Sequence, residues 1–316
     1  MISRRKFHTA AGEVSTFLLA VFSIALHVVF AHAQDYAVWN NYAVNPDISG
    51  VFRGSDTRLP LNDIQKRIWF NLYGNFLDAS SENNNFAFSA KTFGLFTGTE
   101  RRFGRFTLIG GGIGADWTSV DQSQRNYGGD ISALKGFVYT QFTASRWYCD
   151  LEAGFGTGRY ELAQSGTKMY STWNNQWNVA TEIGVHWEHG LAKTEPFFAL
   201  NRTELDDFDY NNVLTTAMVG CRYNWRFAGP LAIVRPGIFG GYLHQFDEDL
   251  FSTGSFVSEA TVFRMPGVKP SQNRFFLGMN LVMSMRKSLD LYVKYTTELS
   301  NEHNSHTIFA GMNWNF

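Results

Sequence analysis

The sequence has few charged residues, few prolines, two cysteines and one long apolar run. Charged residues make up 17% of the 316 residues, and 27 Lys and Arg nearly balance 28 Asp and Glu. An average soluble domain contains about 25% charged residues. Without a basic excess, the composition argues against nucleic acid as a partner. Because the one long apolar stretch lies within the first 33 residues, a bundle of membrane-spanning helices is excluded.

Aromatic residues and glycine are abundant instead. Aromatics make up 16% of the chain, and there are 29 Phe and 29 Gly. The mean hydropathy is nevertheless slightly negative. This composition excludes a disordered chain, which would be poor in aromatics. A slightly negative mean hydropathy is the average expected when apolar and polar residues alternate.

The first 33 residues resemble a secretory signal peptide. Basic residues at positions 4–6 precede an apolar run at 17–30, and Ala31-His32-Ala33 forms an A-x-A cleavage site. The mature chain is then expected to begin near Gln34. Ser3-Arg4-Arg5 also resembles a twin-arginine signal, but ordinary secretion of an unfolded chain agrees better with the fold predicted below. A retained membrane anchor is the alternative, and it is disfavoured because the run is short for a bilayer span.

Alternation with a period of two recurs after residue 66. In residues 147–156, 177–187, 289–296 and 308–316, every second side chain is apolar and the intervening ones are polar or small. This pattern predicts strands with one apolar face. Aromatics stand at both ends of several segments, as in the interfacial girdles of membrane barrels.

Connection lengths alternate as well. Short turns near residues 103–104, 145, 190, 229–230 and 287–288 alternate with longer polar loops at 78–85, 118–129, 159–173, 205–212, 246–273 and 299–305. Short turns on one side and long loops on the other are typical of outer-membrane barrels. Since open sheet edges are not tolerated in lipid, the sequence predicts an all-β fold, a closed twelve-stranded antiparallel transmembrane β-barrel. Its strands are expected near 66–77, 86–98, 105–117, 130–143, 146–158, 174–188, 192–204, 213–226, 231–245, 274–286, 288–298 and 306–316.

The two cysteines, Cys149 and Cys221, are expected to face outward on strands three places apart. At about 4.8 Å per strand, they lie roughly 14 Å apart, which exceeds the disulfide limit of about 7 Å between Cα atoms. No disulfide is therefore predicted.

Charged residues on the polar faces are candidates for the barrel interior. We expect seven of them to line the lumen: Lys91, Asp150, Glu152, Glu182, Arg222, Arg235 and Lys294. Pairing across strands is the favoured interpretation, because a twelve-stranded barrel is narrow. A conduction pathway or a docking surface for a lumenal helix is the alternative.

Catalytic and metal-binding chemistry has weaker support. Acidic and histidine residues cluster in the predicted long loops: Asp206, Asp207, Asp209, His244, Asp247, Glu248, Asp249, Glu302, His303 and His306. Their spacing is unspecific for a catalytic site or for Ca²⁺ or Zn²⁺, and solvated loop charges are the favoured explanation. The glycine-rich stretch at 110–114 lies inside a strand and is not a phosphate loop. The sequence therefore predicts no catalytic residue, cofactor or metal.

The C-terminal stretch resembles the end of an autotransporter β-barrel domain. The matching residues are Leu289, Leu291, Tyr292, Tyr295, His306, Gly311, Trp314 and Phe316. Asn71-Leu72-Tyr73-Gly74 resembles the family's opening strand, with Asn71 in place of the usual glycine, and Arg235-Pro236 resembles the entry to its ninth strand. The resemblance covers about residues 67–316.

This resemblance implies an outer-membrane barrel at 67–316 that exports an N-terminal passenger. Residues 34–66 are then a short N-terminal segment, either a vestigial passenger or a lumenal plug, in which residues 61–70 resemble the family's lumenal helix. The outward residues of the last strand, Ile308, Ala310, Met312, Trp314 and Phe316, are implied to be read by the barrel-assembly machinery. Periplasmic chaperones and outer-membrane lipid are the other implied partners of a monomeric barrel.

Three functions remain open at this point. The favoured one is translocation or display of a very short N-terminal segment. A barrel without a passenger, acting as a pore or a structural surface protein, is the second. An outer-membrane enzyme is the third, and it requires rim residues such as His244, Asp247 and His303 to converge.

Overall fold

The architecture is that of an all-β protein, as seen in a computed structural model. The structure describes residues 66–79, 88–122, 127–144, 146–164, 167–207, 210–246, 251–255, 262–266, 272–285, 289–300 and 303–316. The strands are β1 (Lys66–Ala79), β2 (Phe88–Phe103), β3 (Thr107–Gln122), β4 (Tyr127–Thr143), β5 (Trp147–Gln164), β6 (Thr167–Val185), β7 (Trp187–His189), β8 (Ala192–Asp207), β9 (Tyr210–Trp225), β10 (Phe227–Ala228), β11 (Ala232–Gln245), β12 (Phe251–Ser255), β13 (Val262–Pro266), β14 (Asn273–Met285), β15 (Leu289–Leu299) and β16 (His303–Asn315).

Twelve of these strands form a closed antiparallel barrel, as the sequence predicts. Their order around the barrel is β1-β2-β3-β4-β5-β6-β8-β9-β11-β14-β15-β16, and β16 pairs back onto β1 from Arg67↔Asn315 to Ala79↔His303. The short strands β7 and β10 continue β6 and β9 beyond single irregular residues, His186 and Arg226. Closure leaves no edge strand, which is what allows a sheet to exist in lipid.

The start of the first barrel strand and the end of the last one lie at the same rim of the barrel. The backbone N–H of Phe316 donates to the carbonyl of Lys66 at 3.1 Å, so β1 starts where β16 stops. The tight turns lie on this same side, and we call it the short-turn end. Gly104 and Gly190 adopt positive φ values of 66° and 63° there, a conformation that glycine tolerates without steric cost. The opposite rim is the long-loop end.

The alternation predicted from the sequence sorts side chains between the inside and the outside. On β1, Arg67, Trp69 and Asn71 are about 1% exposed, whereas Ile68 between them is 50% exposed. Large exposed apolar side chains cover the outer face, including Ile113, Leu134, Val138, Trp177, Val179, Phe275, Leu277 and Met279. An apolar belt of this extent is unfavourable in water and favourable against lipid.

Strands extend further toward the long-loop end than expected. The predicted loops 118–129 and 159–173 are largely strand, because β3 and β4 pair up to Gln122↔Tyr127 and β5 and β6 pair up to Gln164↔Thr167. Ladder hydrogen bonds stabilise these polar hairpins irrespective of side-chain hydrophobicity, so the predicted loop boundaries were wrong. The predicted loop 246–273 also contains a separate hairpin of β12 and β13.

The predicted helix at 61–70 is wrong from Lys66 onward, where β1 begins. Period-two alternation through Ile68, Phe70 and Leu72 wins over the weak helical signal. Residues 1–65, which include the predicted signal peptide, lie outside the described residues. Within the described part of the chain, no helix is long and apolar enough to cross a membrane.

The two cysteines do not pair. Cys149 on β5 and Cys221 on β9 are both free. Strands β6 and β8 separate them in the barrel order, which agrees with the predicted spacing of three strands.

Candidate functional site

The barrel lumen is the candidate site, and two clusters of aromatic and apolar side chains line its wall. One comprises Trp69, Tyr73, Phe96, Leu108, Phe137, Tyr139 and Phe309. The other comprises Tyr148, Phe197, Met218, Phe239, Leu243 and Phe276. They lie on opposite arcs of the barrel, the first on β1–β4 and β16 and the second on β5 to β14. Within the first cluster, Tyr73 stacks between Phe96 and Phe309, with ring centroids 5.6 and 5.9 Å apart.

The aromatic rings pack directly against inward-facing glycines of nearby strands. A Cβ atom built on Gly94 would come within 2.0 Å of the Tyr73 ring, and one on Gly112 within 2.7 Å of Trp69. The same relation holds for Gly184 with Tyr148 and for Gly278 with Phe239. The rings therefore lie flat along the wall instead of projecting across the lumen. Glycine is required at these positions by close approach.

A buried polar network fixes the seam between the first and last strands. Arg67 Nη1 lies 2.7 Å from Glu100 Oε1, and both side chains are 1% exposed. This contact is a buried ion pair. Arg67 Nε donates to Asn315 on β16 at 2.9 Å, and Tyr139 Oη donates to Glu100 at 2.6 Å. Trp69 Nε1 donates to Tyr139 Oη at 3.0 Å, which ties the aromatic cluster to the ion pair.

A second network lies on the other arc of the lumen. Arg222 makes a bidentate contact with Glu182, at 2.9 and 2.7 Å. Tyr148 Oη donates to the same carboxylate at 2.7 Å. The guanidinium also lies 3.8 Å from the centroid of the Phe197 ring, a cation–π contact. Together these contacts join β5, β6, β8 and β9.

Further ion pairs occur around the wall. Lys135 Nζ lies 2.5 Å from Asp116, which also accepts from Tyr73 Oη at 3.2 Å. Arg274 lies 3.3 Å from Glu298, and Lys193 lies 2.8 Å from Glu195. The first two pairs join neighbouring strands, and the third lies within β8. Since the side chains are mostly buried, the charges on the wall are largely compensated by nearby charges of opposite sign.

Six of the seven predicted lumenal residues face inward. Asp150, Glu152 and Glu182 are 2–3% exposed, while Leu151 between the first two is exposed. Arg235 donates to Ser284 at 2.6 Å and approaches Asp290. Lys294 Nζ lies 4.8 Å from the Phe239 ring centroid and 5.6 Å from that of Phe309. The structure brings Glu182 and Arg222 into direct contact, and Asp150 stands opposite Glu182 in the register.

The lumenal prediction for Lys91 is wrong, because this residue lies on the outer face. It pairs with Phe76 and Ser119, and its neighbour Thr92 points inward and contacts Thr118. Lys91 lines an outer groove of about 820 Å³ together with Phe93, Trp117 and Trp173. A cation is tolerated there because the site is at the long-loop end of the lipid-facing surface, within reach of water.

Sequence reasoning missed several inward charges. Arg67, Glu100, Asp116, Lys135, Arg274 and Glu298 all belong to lumenal pairs. Their signal was present in the alternation: Arg67 and Glu100, for example, fall on the faces opposite Ile68 and Thr99. Applying the period-two rule to β1, β2, β3, β4, β14 and β15 finds them.

The predicted assembly residues occupy the outer face of β16 and the C-terminal residue that follows it. Met312, Trp314 and Phe316 are 44%, 62% and 62% exposed. Ile308 is half-buried, and Ala310 is buried between its register partners Leu72 and Val293.

The histidines near the long-loop end lie on the outer face. His244 Nδ1 is 2.9 Å from Asn273, and His306 Nδ1 is 2.8 Å from Tyr295 Oη. They are on β11 and β16, which two strands separate. Among the described residues, no three His, Cys, Asp or Glu side chains come together as metal ligands. Asp209, Asp247, Glu248, Asp249 and Glu302 lie outside the described residues, as do the side chains of Asp206, Asp207 and His303.

Comparison with known proteins identifies the fold and the family. The chain is 22% identical over 299 residues to an extracellular serine protease of Serratia marcescens, covering 84% of this chain and 28% of that protein. It thus spans little more than a quarter of this curated relative. The protease activity named there belongs to that whole protein.

Solved structures of translocator barrels match most of the chain. The β-domain of the Bordetella autotransporter BrkA superposes with a TM-score of 0.64 at 17% identity, covering 80% of this chain and all of that one. The translocator domain of NalP from Neisseria meningitidis gives a TM-score of 0.62 at 11% identity, covering 85% and 94%. The transport unit of AIDA-I from Escherichia coli gives 0.61 at 10% identity, covering 85% and 96%. The family model for the autotransporter β-domain matches residues 68–296. The chain therefore belongs to the autotransporter β-domain family, and its barrel is an outer-membrane translocator domain.

Proposed function

We propose that the barrel carries the residues that precede β1 through its lumen and displays them at the cell surface. The observation that carries this proposal is the position of Lys66 beside Phe316 at the short-turn end. Short turns face the periplasm in outer-membrane barrels. The chain before Lys66 therefore joins the barrel on the periplasmic side, and passage through the lumen would bring it to the long-loop side.

The chemistry of the lumen wall supports this route. Aromatic rings lie flat over glycines, as in the Tyr73–Gly94 and Trp69–Gly112 pairs. Wall charges such as Arg222 and Glu182 already contact each other. A chain moving along such a wall passes compensated charges and flat rings, which hold an extended segment weakly. Residues 1–33 would act as the signal peptide, and residues 34–65 would be the displayed segment.

An epitope inserted between residues 50 and 51 tests the display. We expect antibody to bind the epitope on intact cells, because the segment reaches the surface. The same epitope within residues 80–87, which connect β1 to β2, is the surface control, and one in the 190–191 turn is the periplasmic control. If the epitope at 50 becomes accessible only after permeabilisation, like the turn control, the proposal is wrong.

Assembly of the barrel is proposed to depend on the outer face of β16. Its exposed side chains Met312, Trp314 and Phe316 would contact the barrel-assembly machinery, after periplasmic chaperones deliver the unfolded chain. An unpaired C-terminal strand can add to a sheet edge of a receptor, which is a β-augmentation. The assembled barrel would be a monomer in outer-membrane lipid.

Deletion of Phe316 tests this assembly role. We expect the heat-modifiable, folded form to fall at least severalfold and the unfolded form to accumulate in the periplasm. Deletion variants that fold normally from urea into detergent, yet fail to assemble in cells, separate recognition from stability. Normal levels of folded barrel in cells would contradict the role.

A pore is the second candidate function, and the polar lumen favours it. Arg235, Lys294 and Glu182 all line the passage. Planar-bilayer conductance of the whole barrel, compared with a barrel lacking residues 34–60, distinguishes the two. High conductance of the whole barrel, combined with absence of the epitope from the surface, would favour a pore over display.

A further inference from the structure

Basic side chains are concentrated at the short-turn end of the outer surface. Six of them are exposed or half-buried, and we call them the basic rim: Lys66, Arg101, Arg102, Arg105, Arg146 and Arg226. They lie in or next to three turns and at the start of β1. Among the described residues of this end, Glu188 is the exposed acidic side chain. The acids Glu100, Glu195 and Asp290 near this rim are buried in the lumen instead.

Each turn places a cation beside an exposed aromatic ring. Arg105 precedes Phe106, which is 61% exposed, Arg146 precedes Trp147 (51%), and Arg226 precedes Phe227 (51%). Two of these turns, at 104–106 and 144–146, are adjacent in space, because the N–H of Thr143 donates to the carbonyl of Phe106 at 2.8 Å. Aromatic rings at this depth lie among lipid headgroups. The neighbouring guanidinium groups therefore extend into the headgroup layer, as long cationic side chains do at membrane interfaces.

Arg102 has a different role within the basic rim. Its Nε donates to the carbonyl of Gly104 at 2.8 Å, and its Nη2 donates to the carbonyl of Arg105 at 2.7 Å. It therefore holds the backbone of the turn in shape. For this reason, Arg102 is left unchanged in the test below.

The opposite end of the barrel has the reverse charge balance. Among the described residues near the long loops, the outward-facing acids are Asp78, Asp121, Asp130, Glu161 and Glu204, against the cations Lys91, Arg159 and Arg202. Two of these cations are already paired, Arg159 with Glu161 and Arg202 with Glu204. Among the outward-facing side chains that the structure describes, the surplus of positive charge thus lies at the short-turn end.

We propose that the basic rim binds the headgroups of anionic phospholipids in the periplasmic leaflet. Phosphate oxygens accept charge-assisted hydrogen bonds from guanidinium groups, frequently in bidentate geometry. The exposed rings beside the arginines contact the glycerol and upper acyl region of the same lipid. The rim has the charge, the depth and the adjoining apolar surface that such a lipid requires. An acidic periplasmic protein would match the charge but would leave Phe106, Trp147 and Phe227 against lipid without using them.

The consequence is lipid selectivity with a strong dependence on salt. A basic residue near a membrane surface favours an anionic lipid over a neutral one by about fivefold. We expect the folded barrel to prefer phosphatidylglycerol over phosphatidylcholine by about fivefold or more at low ionic strength. Because exposed charges are screened, the preference should fall several-fold in 0.5 M salt.

Fluorescence quenching by brominated lipids measures this preference. The full mature chain is folded into mixed vesicles, in which brominated phosphatidylglycerol or brominated phosphatidylcholine quenches lipid-facing tryptophans such as Trp147, Trp187 and Trp314. The variant R105Q/R146Q/R226Q should lower the preference at least twofold, and Lys66 and Arg101 should account for what remains. The matched control K91Q/R159Q/R202Q removes three cations from the long-loop end and should keep the wild-type preference. Heat modifiability confirms that each variant is folded.

Two outcomes would overturn the proposal. One is a wild-type barrel that shows no preference for phosphatidylglycerol. The other is an equal loss of preference in both triple variants, since net charge alone would then account for it. Soluble glycerol phosphate should not compete with the lipid, because it lacks the acyl part that contacts the rings; full competition is a third outcome that would overturn the proposal, since the rim would then bind free phosphate.

Discussion

Replacement of Arg67 by alanine is expected to lower the free energy of unfolding by about 3–5 kcal/mol, because it leaves the Glu100 carboxylate buried without its cation. Both side chains are 1% exposed, so water cannot replace the lost partner. The substitution also removes the hydrogen bond to Asn315 that ties β1 to β16. The measurement is urea-induced unfolding of the barrel in lipid vesicles, followed by tryptophan fluorescence.

An exposed pair of the same chemistry is the control for Arg67. Arg202 lies 2.8 Å from Glu204, with side chains 57% and 46% exposed, and R202A should cost less than about 1 kcal/mol. The double variant R67Q/E100Q, which removes both charges, should be more stable than R67A. If R67A and R202A unfold at the same urea concentration, the buried ion pair does not stabilise the barrel.

The substitution Gly94→Ala is expected to destabilise the barrel by about 1–3 kcal/mol, the usual cost of overpacking. Its Cβ would come within 2.0 Å of the Tyr73 ring, so the ring must leave the wall. Tyr73 would then lose its hydrogen bond to Asp116 and its stacking on Phe96 and Phe309. Equilibrium unfolding and the yield of heat-modifiable barrel report the change.

Gly74 is the matched control for Gly94. It faces outward on β1, and a Cβ there has 3.8 Å to its nearest atoms, so G74A should be neutral or slightly stabilising. A double-mutant cycle isolates the ring contact, because G94A should cost almost nothing in a Y73A background. An equal cost of G94A in both backgrounds would show that the ring contact is not the cause.

The twelve strands and their two faces could be predicted because period-two alternation follows directly from the geometry of a strand. Trp147, Leu151 and Phe155 face lipid, and Asp150 and Glu152 face inward, as the pattern indicates. Strand ends were harder to place. Beyond the membrane both faces become polar, so the pairing of β3 with β4 up to Gln122↔Tyr127 leaves no hydrophobic signal.

The sequence predicted for several charged side chains that they face the lumen, but it did not predict which residues they contact. Glu182 and Arg222 could be assigned to the inside separately, but their contact depends on the order β5-β6-β8-β9 and on the register between those strands. Lys91 was predicted on the wrong face because a charged side chain was expected to avoid lipid. Its place in the alternation, between the inward-facing Ala90 and Thr92, puts it on the outer face. Glycines under aromatic rings could not be recognised, since Gly94 and Tyr73 become neighbours only once the β1–β2 register is known.

Passage of the N-terminal segment through the lumen is the central claim, and site-specific photo-crosslinking tests it most directly. Phe197 faces the lumen at 5% exposure, and its chain neighbour Phe198 faces lipid at 47%. Benzoylphenylalanine replaces each of them in turn, in a chain that carries the epitope between residues 50 and 51. Position 197 should crosslink to the tagged segment during export, and position 198 should not. Equal crosslinking from both positions, or none from 197 while the epitope reaches the surface, would contradict passage through the lumen.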